Sequence, residues 1–214
     1  MKKLILLIAL FFGLITFPVP AQALLLEFGT TFSGTSPSGP DPWMTAEFTT
    51  VEVGVVGVSI NTGGLTLDES INGKGIFFNF NPDKDATNLN FAFQPLDSTG
   101  NQASEIQTGE DAFKADGGGG SFDINFRWPG KFADRLLADT TVTYVITGES
   151  VVASDFNFES VGIDPGFIAA AHIQSIGLTG EDSGWIAVPD PSAVFLLVSA
   201  CLMGFAVMRK KPKK

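Results

Sequence analysis

The residue types that most often perform catalysis are scarce in this sequence. The only histidine is His172, and the only cysteine is Cys201, which lies in an apolar run near the C-terminus. One histidine cannot form a multi-histidine zinc site, and no GxSxG motif is present to place a serine nucleophile on a strained turn. Small and apolar residues surround His172. We therefore expect this histidine to be packed in the core, with a role as a lone general base as the alternative.

Carboxylates are abundant and offer a second kind of chemistry. Between Leu24 and Pro189 the chain has 22 acidic and six basic residues, a net charge of −16. This charge repels phosphate backbones and argues against nucleic-acid binding. Glycoside hydrolysis needs two carboxyl groups roughly 5 to 10 Å apart across a cleft, which sequence spacing cannot test. The candidates are Glu105, Asp123, Glu149 and Glu159. We expect the acids to be solvated surface charge and the protein not to be an enzyme.

Calcium coordination is a third option. Oxygen-bearing side chains alternate in the loop after Phe80, at Asn81, Asp83 and Asp85. A second loop cluster contains Glu110, Asp111 and Asp116. The first loop is not an EF-hand, because Ala86 stands at the position that needs glycine and Ala92 at that of the twelfth-position glutamate. We predict no cofactor, with a calcium ion at Asn81, Asp83 and Asp85 as the alternative.

The elements that must position these side chains are predicted to be β-strands. Apolar residues alternate with polar ones at 122–126 and at 142–146, which is the period of a half-buried strand. Glycine, asparagine and proline turns separate many such short segments, as in an antiparallel β-sandwich or jelly roll. We predict one all-β domain over residues 24–188. Residues 132–138 are expected to form one or two helical turns, and 167–176 is ambiguous between a helix and a strand.

The N-terminal segment has the pattern of a secretory signal peptide. Two lysines precede an apolar run of 14 residues, which ends before a small-x-small site formed by Ala21 and Ala23. A helix of 14 residues is about 21 Å long, shorter than a hydrocarbon core of about 30 Å. We therefore predict a signal helix within residues 1–23, cleavage after Ala23, and export of the remaining chain.

The C-terminal segment, residues 189–214, has the pattern of a membrane anchor with a basic stop. Prolines at 189 and 191 prevent a helix from continuing through them, and Ser192 can cap a helix that begins after it. Residues 193–208 carry no charge and are predicted to form a transmembrane helix. The basic stop that follows begins with Arg209, Lys210 and Lys211. Because positive residues stay in the cytoplasm, the body of the chain is expected to lie outside it.

These features together resemble the PEP-CTERM sorting signal of Gram-negative bacteria. The matching motif consists of Pro189, Asp190, Pro191 and Ser192, followed by the apolar helix and the basic end. Asp190 stands where the family usually has glutamate, so the carboxylate is one methylene shorter. The resemblance covers about the last 27 residues and the signal peptide, and it does not extend to the body. It implies that an exosortase-like membrane protease recognises the tail, and that the protein is associated with exopolysaccharide or biofilm matrix.

The sequence therefore predicts an exported, non-enzymatic protein that passes through the inner membrane to the cell surface or the extracellular matrix. One alternative is a carbohydrate-binding module of that matrix. It would present tryptophans on one exposed face, and the available ones are Trp43, Trp128 and Trp185. The other alternative is a glycan hydrolase or lyase that uses two carboxylates.

Overall fold

A computed structural model describes residues 22–66 and 68–190, and this part of the chain is all-β. It contains twelve strands, numbered here along the chain: β1 (Ala23–Phe28), β2 (Thr30–Gly34), β3 (Met44–Glu52), β4 (Val55–Asn61), β5 (Ser70–Phe78), β6 (Asn90–Phe93), β7 (Glu105–Lys114), β8 (Ser121–Arg127), β9 (Leu136–Leu137), β10 (Thr141–Thr147), β11 (Phe167–Ile176) and β12 (Asp182–Pro189). Single turns of 3-10 helix lie at Ala86–Asn88, Pro95–Asp97, Phe132–Asp134 and Ala153–Phe156.

The strands form two antiparallel sheets. The first sheet has five strands in the order β1-β3-β4-β10-β6. The second has the order β2-β12-β11-β5-β8-β7, and the short β9 pairs with one end of β5. Neighbours in each sheet are joined by antiparallel ladders, with register shifts in several of them. The predicted all-β class with antiparallel strands is confirmed.

The two sheets pack face to face over a core that is rich in phenylalanine. Phe48 of the first sheet lies edge-on to Phe78 of the second, with ring centroids 5.3 Å apart. Further along the core, Phe126 of the second sheet contacts Phe91 and Tyr144 of the first. Offset and edge-to-face aromatic pairs of this kind add to the free energy gained by burying apolar surface. The alternation seen in the sequence is thus the alternation between core-facing and outward-facing residues.

The second sheet also carries a smaller apolar cluster, separate from the main core. Its buried members are Phe77, Ala115, Phe122, Ala170 and Trp185, with Phe32, Phe113 and Phe167 packed around them. Ala169 and Ala171 belong to the main core, whereas Ala170 between them belongs to this cluster. The middle of β11 is therefore covered on both faces, which explains why residues 168–173 read as a continuous apolar run broken only by His172.

Two ambiguous segments are now assigned. Residues 132–138 contain one of the one or two predicted helical turns, a 3-10 turn at Phe132–Asp134, and the residues after it form β9, which pairs with the start of β5. Phe167–Ile176 is strand β11, because its pairing with β5 and β12 places it inside the second sheet. The predicted signal helix and the predicted transmembrane helix lie outside the described residues. Within the described residues, no helix combines the length and the apolarity needed to cross a bilayer.

Candidate functional site

An open cleft of about 490 Å³ lies beside the C-terminal end of β5. Its walls are the loop at residues 80–86, the middle of β7 and residues 158–161. One cation, Lys84, lines the cleft together with six carboxylates, those of Asp83, Asp85, Glu110, Asp111, Asp123 and Glu159. We call this feature the acidic cleft. It brings together both of the acidic loop clusters that the sequence singled out, except for Asp116.

Asp123 of β8 joins two walls of the acidic cleft. Its Oδ2 accepts a hydrogen bond from the Phe80 backbone N–H at 2.8 Å, and its Oδ1 accepts one from the Asp111 N–H at 2.8 Å. The second bond forms because β7 departs from regular pairing between Thr108 and Phe113, where Asp111 has a φ of +47°. Burial raises the pKa of Asp123 above its usual range, against the effect of the two N–H donors. With both oxygens accepting backbone hydrogen bonds, this carboxylate holds the walls of the cleft together.

A buried ion pair lies at the side of the cleft. Asp155, only 4% exposed, accepts hydrogen bonds from Lys84 Nζ at 2.6 Å, Asn81 Nδ2 at 2.9 Å and the Val152 N–H at 2.9 Å. Burial by itself would raise the pKa of Asp155, but these donors and the charge of Lys84 hold it below its usual range. The pair fixes the loop after β5 against the 3-10 turn at Ala153–Phe156 and keeps the cleft in shape.

The three residues predicted as calcium ligands are engaged in different ways. Asn81 Oδ1 accepts the Asp83 N–H, while Asp85 caps the 3-10 turn at Ala86–Asn88 and accepts bonds from the Thr87 N–H and hydroxyl. Hydrogen bonding from the Thr87 side chain lowers the pKa of Asp85. The Asp83 side chain lines the cleft. Within residues 22–66 and 68–190, no three His, Cys, Asp or Glu side chains are grouped as metal ligands. A calcium ion at this loop stays a prediction.

The carboxylates proposed for glycan hydrolysis are distributed over different places. Asp123 and Glu159 both line the acidic cleft. Glu149 lines an adjoining pocket of about 370 Å³ that shares the loop at residues 83–85 with the cleft. Glu105 lies at the start of β7, where its carboxylate is 3.3 Å from the guanidinium of Arg127. The structure thus brings together two of the four candidates, and a third lies nearby.

The tryptophans form no exposed platform. Trp128 is 1% exposed and Trp185 is 4% exposed, while Trp43 is half-buried against the main core and donates its indole N–H to a backbone carbonyl. His172, 3% exposed, lies edge-on to Trp185 with centroids 4.9 Å apart. Burial, with a smaller contribution from the charge of Lys74, lowers the pKa of His172 to about 4, so its imidazole is neutral at pH 7. The three tryptophans therefore do not form the exposed face that was predicted for a carbohydrate-binding module.

A second pocket lies on the outer side of the second sheet and was not expected from the sequence. It has a volume of about 240 Å³ and borders the smaller apolar cluster. Three cations line it, those of Lys74, Lys114 and Arg127, together with the buried amide of Asn125. Their positions in the sequence are far apart and form no motif, because β5, the end of β7 and β8 contribute them separately. We call it the outer-face pocket.

The two candidate processing sites lie at the limits of the described chain. Ala23 is the first residue of β1, and the carbonyl of Gln22 before it accepts a hydrogen bond from the Thr50 N–H. Pro189 is the last residue of β12 and pairs with Phe167. Asp190 follows the strand directly. Ala21, Pro191, Ser192 and the basic end lie outside the described residues.

Comparisons with protein-family models, with curated proteins and with solved structures found no match for this chain.

Proposed function

We propose that the protein is an exported, non-enzymatic β-domain that is sorted to the cell surface or the extracellular matrix by its C-terminal segment. The observation that carries the proposal is the pair of targeting patterns that flank a packed β-domain. Strand β1 begins at Ala23, the last residue before the expected signal cleavage, and β12 ends at Pro189, the first residue of the sorting motif. Of the residues in the twelve strands, processing at these two points would remove Ala23 and, where the cut precedes it, Pro189.

The positions of the two ends also support this proposal. Leu24 pairs with Phe48 in the first sheet, and Phe48 contacts Phe78 across the core. In the second sheet Phe78 pairs with Ala169, which pairs with Val188. The end of β12 therefore lies beside β1. The two expected processing points, at Ala23 and Pro189, therefore belong to strands that contact each other.

The domain itself is proposed to be a β-sandwich and not a jelly roll. A jelly roll divides eight strands between two sheets in a double Greek key. Here five strands stand against a path of six with a short seventh strand attached. The larger and less symmetric second sheet is better described as one layer of an irregular sandwich.

Localisation of variants in a Gram-negative host with an exosortase-like protease tests the proposal. We expect the full-length chain to reach the cell surface or medium in a processed form, and a chain that ends at Asp190 to accumulate in the periplasm. Asp190→Glu, which restores the family's usual residue, should be processed at least as well as the natural sequence, whereas Asp190→Ala should remain unprocessed in the inner membrane. The matched control Asp182→Ala changes an exposed acid in the same strand region and should be processed normally.

An unchanged distribution of the chain that ends at Asp190 would refute sorting by the tail. Processing that is identical in hosts with and without the protease would refute the proposed partner, while leaving export intact. The association with extracellular polysaccharide is tested separately, by co-sedimentation of the processed protein with purified matrix.

A carboxylate-based glycan hydrolase or lyase is the second candidate, and the acidic cleft is the observation that favours it. Asp123, with its raised pKa, and Glu159 line the same concave surface, as an acid and a base would. Against it, both oxygens of Asp123 already accept backbone hydrogen bonds. Release of reducing ends from matrix polysaccharide by the full-length protein, abolished in Glu159→Gln but not in Glu149→Gln, would establish this second candidate in place of the first.

A further inference from the structure

The outer-face pocket concentrates positive charge in an acidic domain. Of the six basic residues between Leu24 and Pro189, half line this one pocket: Lys74, Lys114 and Arg127. Lys74 pairs with Asp116 at 2.8 Å, and Arg127 lies 3.3 Å from Glu105. The side chain of Lys114 forms no hydrogen bond or ion pair with the residues that the structure describes, and it is exposed. The lining of the pocket carries three positive charges and one negative charge, that of Asp116, so its net charge is +2. The net charge between Leu24 and Pro189 is −16.

A buried polar atom in the same pocket lacks a partner. Asn125 is 6% exposed, and no described residue donates a hydrogen bond to its Oδ1. Its carboxamide lies against Gly75, where a Cβ would come within 2.5 Å of the oxygen. An unpaired buried acceptor is destabilising, because the group has lost its bonds to water without replacing them. Grouping like charges is also unfavourable, and only Lys74 and Arg127 of the three cations have a carboxylate partner among the described residues.

The remaining wall of the outer-face pocket is aromatic. Phe77, Phe113 and Trp185 line it, and Lys74 Nζ lies 5.8 Å from the centroid of the Trp185 ring. The volume of about 240 Å³ is below the range of about 300 to 1,000 Å³ typical of drug-sized ligands, and it suits a single ring with its substituents. The ligand that such a lining fits carries a negative charge, at least one hydroxyl donor and an apolar face.

We propose that the outer-face pocket binds a carboxylated sugar residue of an acidic polysaccharide. The carboxylate would lie between Lys114 and Arg127, where charge-assisted hydrogen bonds are strongest. A ring hydroxyl would donate to Asn125 Oδ1 once this side chain turns towards the pocket, because the oxygen is closed to solvent in the conformation described. The apolar face of the sugar would contact Phe113. This inference rests on the proposed function, since it names the kind of matrix component that the exported domain would hold.

Titration of the purified full-length protein with glucuronate tests this site. Binding is followed by tryptophan fluorescence, since Trp185 lines the pocket, and by calorimetry. Glucose tests the need for the charge, and acetate and sulfate test the need for the sugar. We expect glucuronate to bind and the other three to bind at least about tenfold more weakly, the loss expected for one charged hydrogen bond.

Variants separate the pocket from the rest of the surface. Lys114→Gln should weaken glucuronate binding about tenfold with no change in Tm, because the Lys114 side chain has no partner among residues 22–66 and 68–190. Lys114→Arg should retain binding, and Lys131→Gln, at an exposed lysine outside the pocket, should leave it unchanged. Equal affinity for glucuronate and acetate, or an unaltered affinity in Lys114→Gln, would overturn the proposal. Because the titration uses purified protein, it is independent of localisation: binding without tail-dependent sorting would refute the proposed function alone.

Discussion

The carboxylate of Asp155 connects two parts of the chain at the acidic cleft, and removing it is the sharpest test of the packing described above. Asp155→Ala deletes the ion pair with Lys84 and the hydrogen bonds from Asn81 and Val152. The Asp155 side chain is 5% exposed and that of Lys84 is 26% exposed. Water therefore cannot take the place of the deleted carboxylate at the Asp155 position. Breaking a buried pair by removing one partner costs about 3 to 5 kcal/mol. Because Lys84 is partly hydrated, we expect a loss near the lower limit, about 3 kcal/mol.

The reciprocal variant should be milder. Lys84→Met leaves Asp155 with two donors, Asn81 and the Val152 N–H, so the carboxylate stays hydrogen-bonded. We expect this change to lower the free energy of unfolding by about 1 to 2 kcal/mol. The double variant should be less destabilised than the sum of the single variants, with a coupling energy of about 1 to 2 kcal/mol. Lys131→Met, at an exposed lysine with only a 3.8 Å contact to Asp134, is the matched control and should change stability by less than about 0.5 kcal/mol.

The pH dependence of these stabilities gives a second readout. Burial would raise the pKa of Asp155, but Lys84 and the two other donors lower it by more. A carboxyl whose folded pKa is lower than its unfolded value stabilises the protein above the unfolded pKa, about 3.9, and this contribution is lost as the pH falls through the folded pKa. Asp155→Asn should therefore show a smaller loss of stability than the natural protein when the pH is lowered below about 4.

Urea denaturation of the full-length protein in detergent, followed by tryptophan fluorescence, measures these free energies. All three tryptophans lie in the described domain, so the signal reports its unfolding. The reasoning would be refuted by additive effects in the double variant together with parallel pH profiles for the natural protein and Asp155→Asn. That result would mean that Asp155 is solvated and that the ion pair does not hold the loop.

Four further predictions concern single groups whose surroundings are unusual. Tyr144 is the only tyrosine, and burial raises its pKa to about 12, so absorbance at 295 nm should show no tyrosinate below about pH 11 in the folded protein and a midpoint near 10 in urea. His172 is the only histidine, and its proton resonances should titrate near pH 4; since the folded pKa is lowered by burial, its contribution to stability is present above about 6.5 and is lost as the pH falls towards 4. Gly75 has a φ of +86°, and an added Cβ would lie 2.0 Å from a carbonyl oxygen of β8, so Gly75→Ala should lower the free energy of unfolding by at least about 2 kcal/mol, whereas Gly130→Ala, with open space around the site, should not. Calcium at the loop of Asp83 should raise Tm when added and lower it when chelated, with both shifts lost in Asp83→Ala; no shift in either direction would exclude that site.

Strand positions could be predicted from the sequence because alternation is a local property. In β10, Val142 and Tyr144 are buried while Thr141 and Thr143 are partly exposed, as the period of two requires. The prediction was weakest where both faces of a strand are covered, as at 167–176, because a continuous apolar run has the same pattern in a buried strand as in a buried helix. The short β9 was missed, since two residues are too few to show any period.

The candidate sites could be predicted only in part. The loop from Asn81 to Asp85 was singled out by its composition, and the structure places it on the wall of the acidic cleft. Its partners Asp123 and Glu159 are distant in the sequence and meet it only through strand pairing and loop packing. The burial of Trp185 could not be predicted from the sequence, because it depends on the smaller apolar cluster that covers the outer face of the second sheet.

The sequence by itself determined the class of the fold, the strong negative charge between Leu24 and Pro189, and the targeting patterns that support the proposed export, because each is a matter of local composition or period. Only the tertiary structure decided which of the 22 acids converge in one cleft, that three of the six bases share one pocket, and that β12 ends beside β1. These are consequences of strand order and register. If a strand slipped by one residue against its neighbour, all its side chains would move to the opposite face of the sheet. The pairings that prevent such a slip join residues that are distant in the sequence, so no local pattern reveals them.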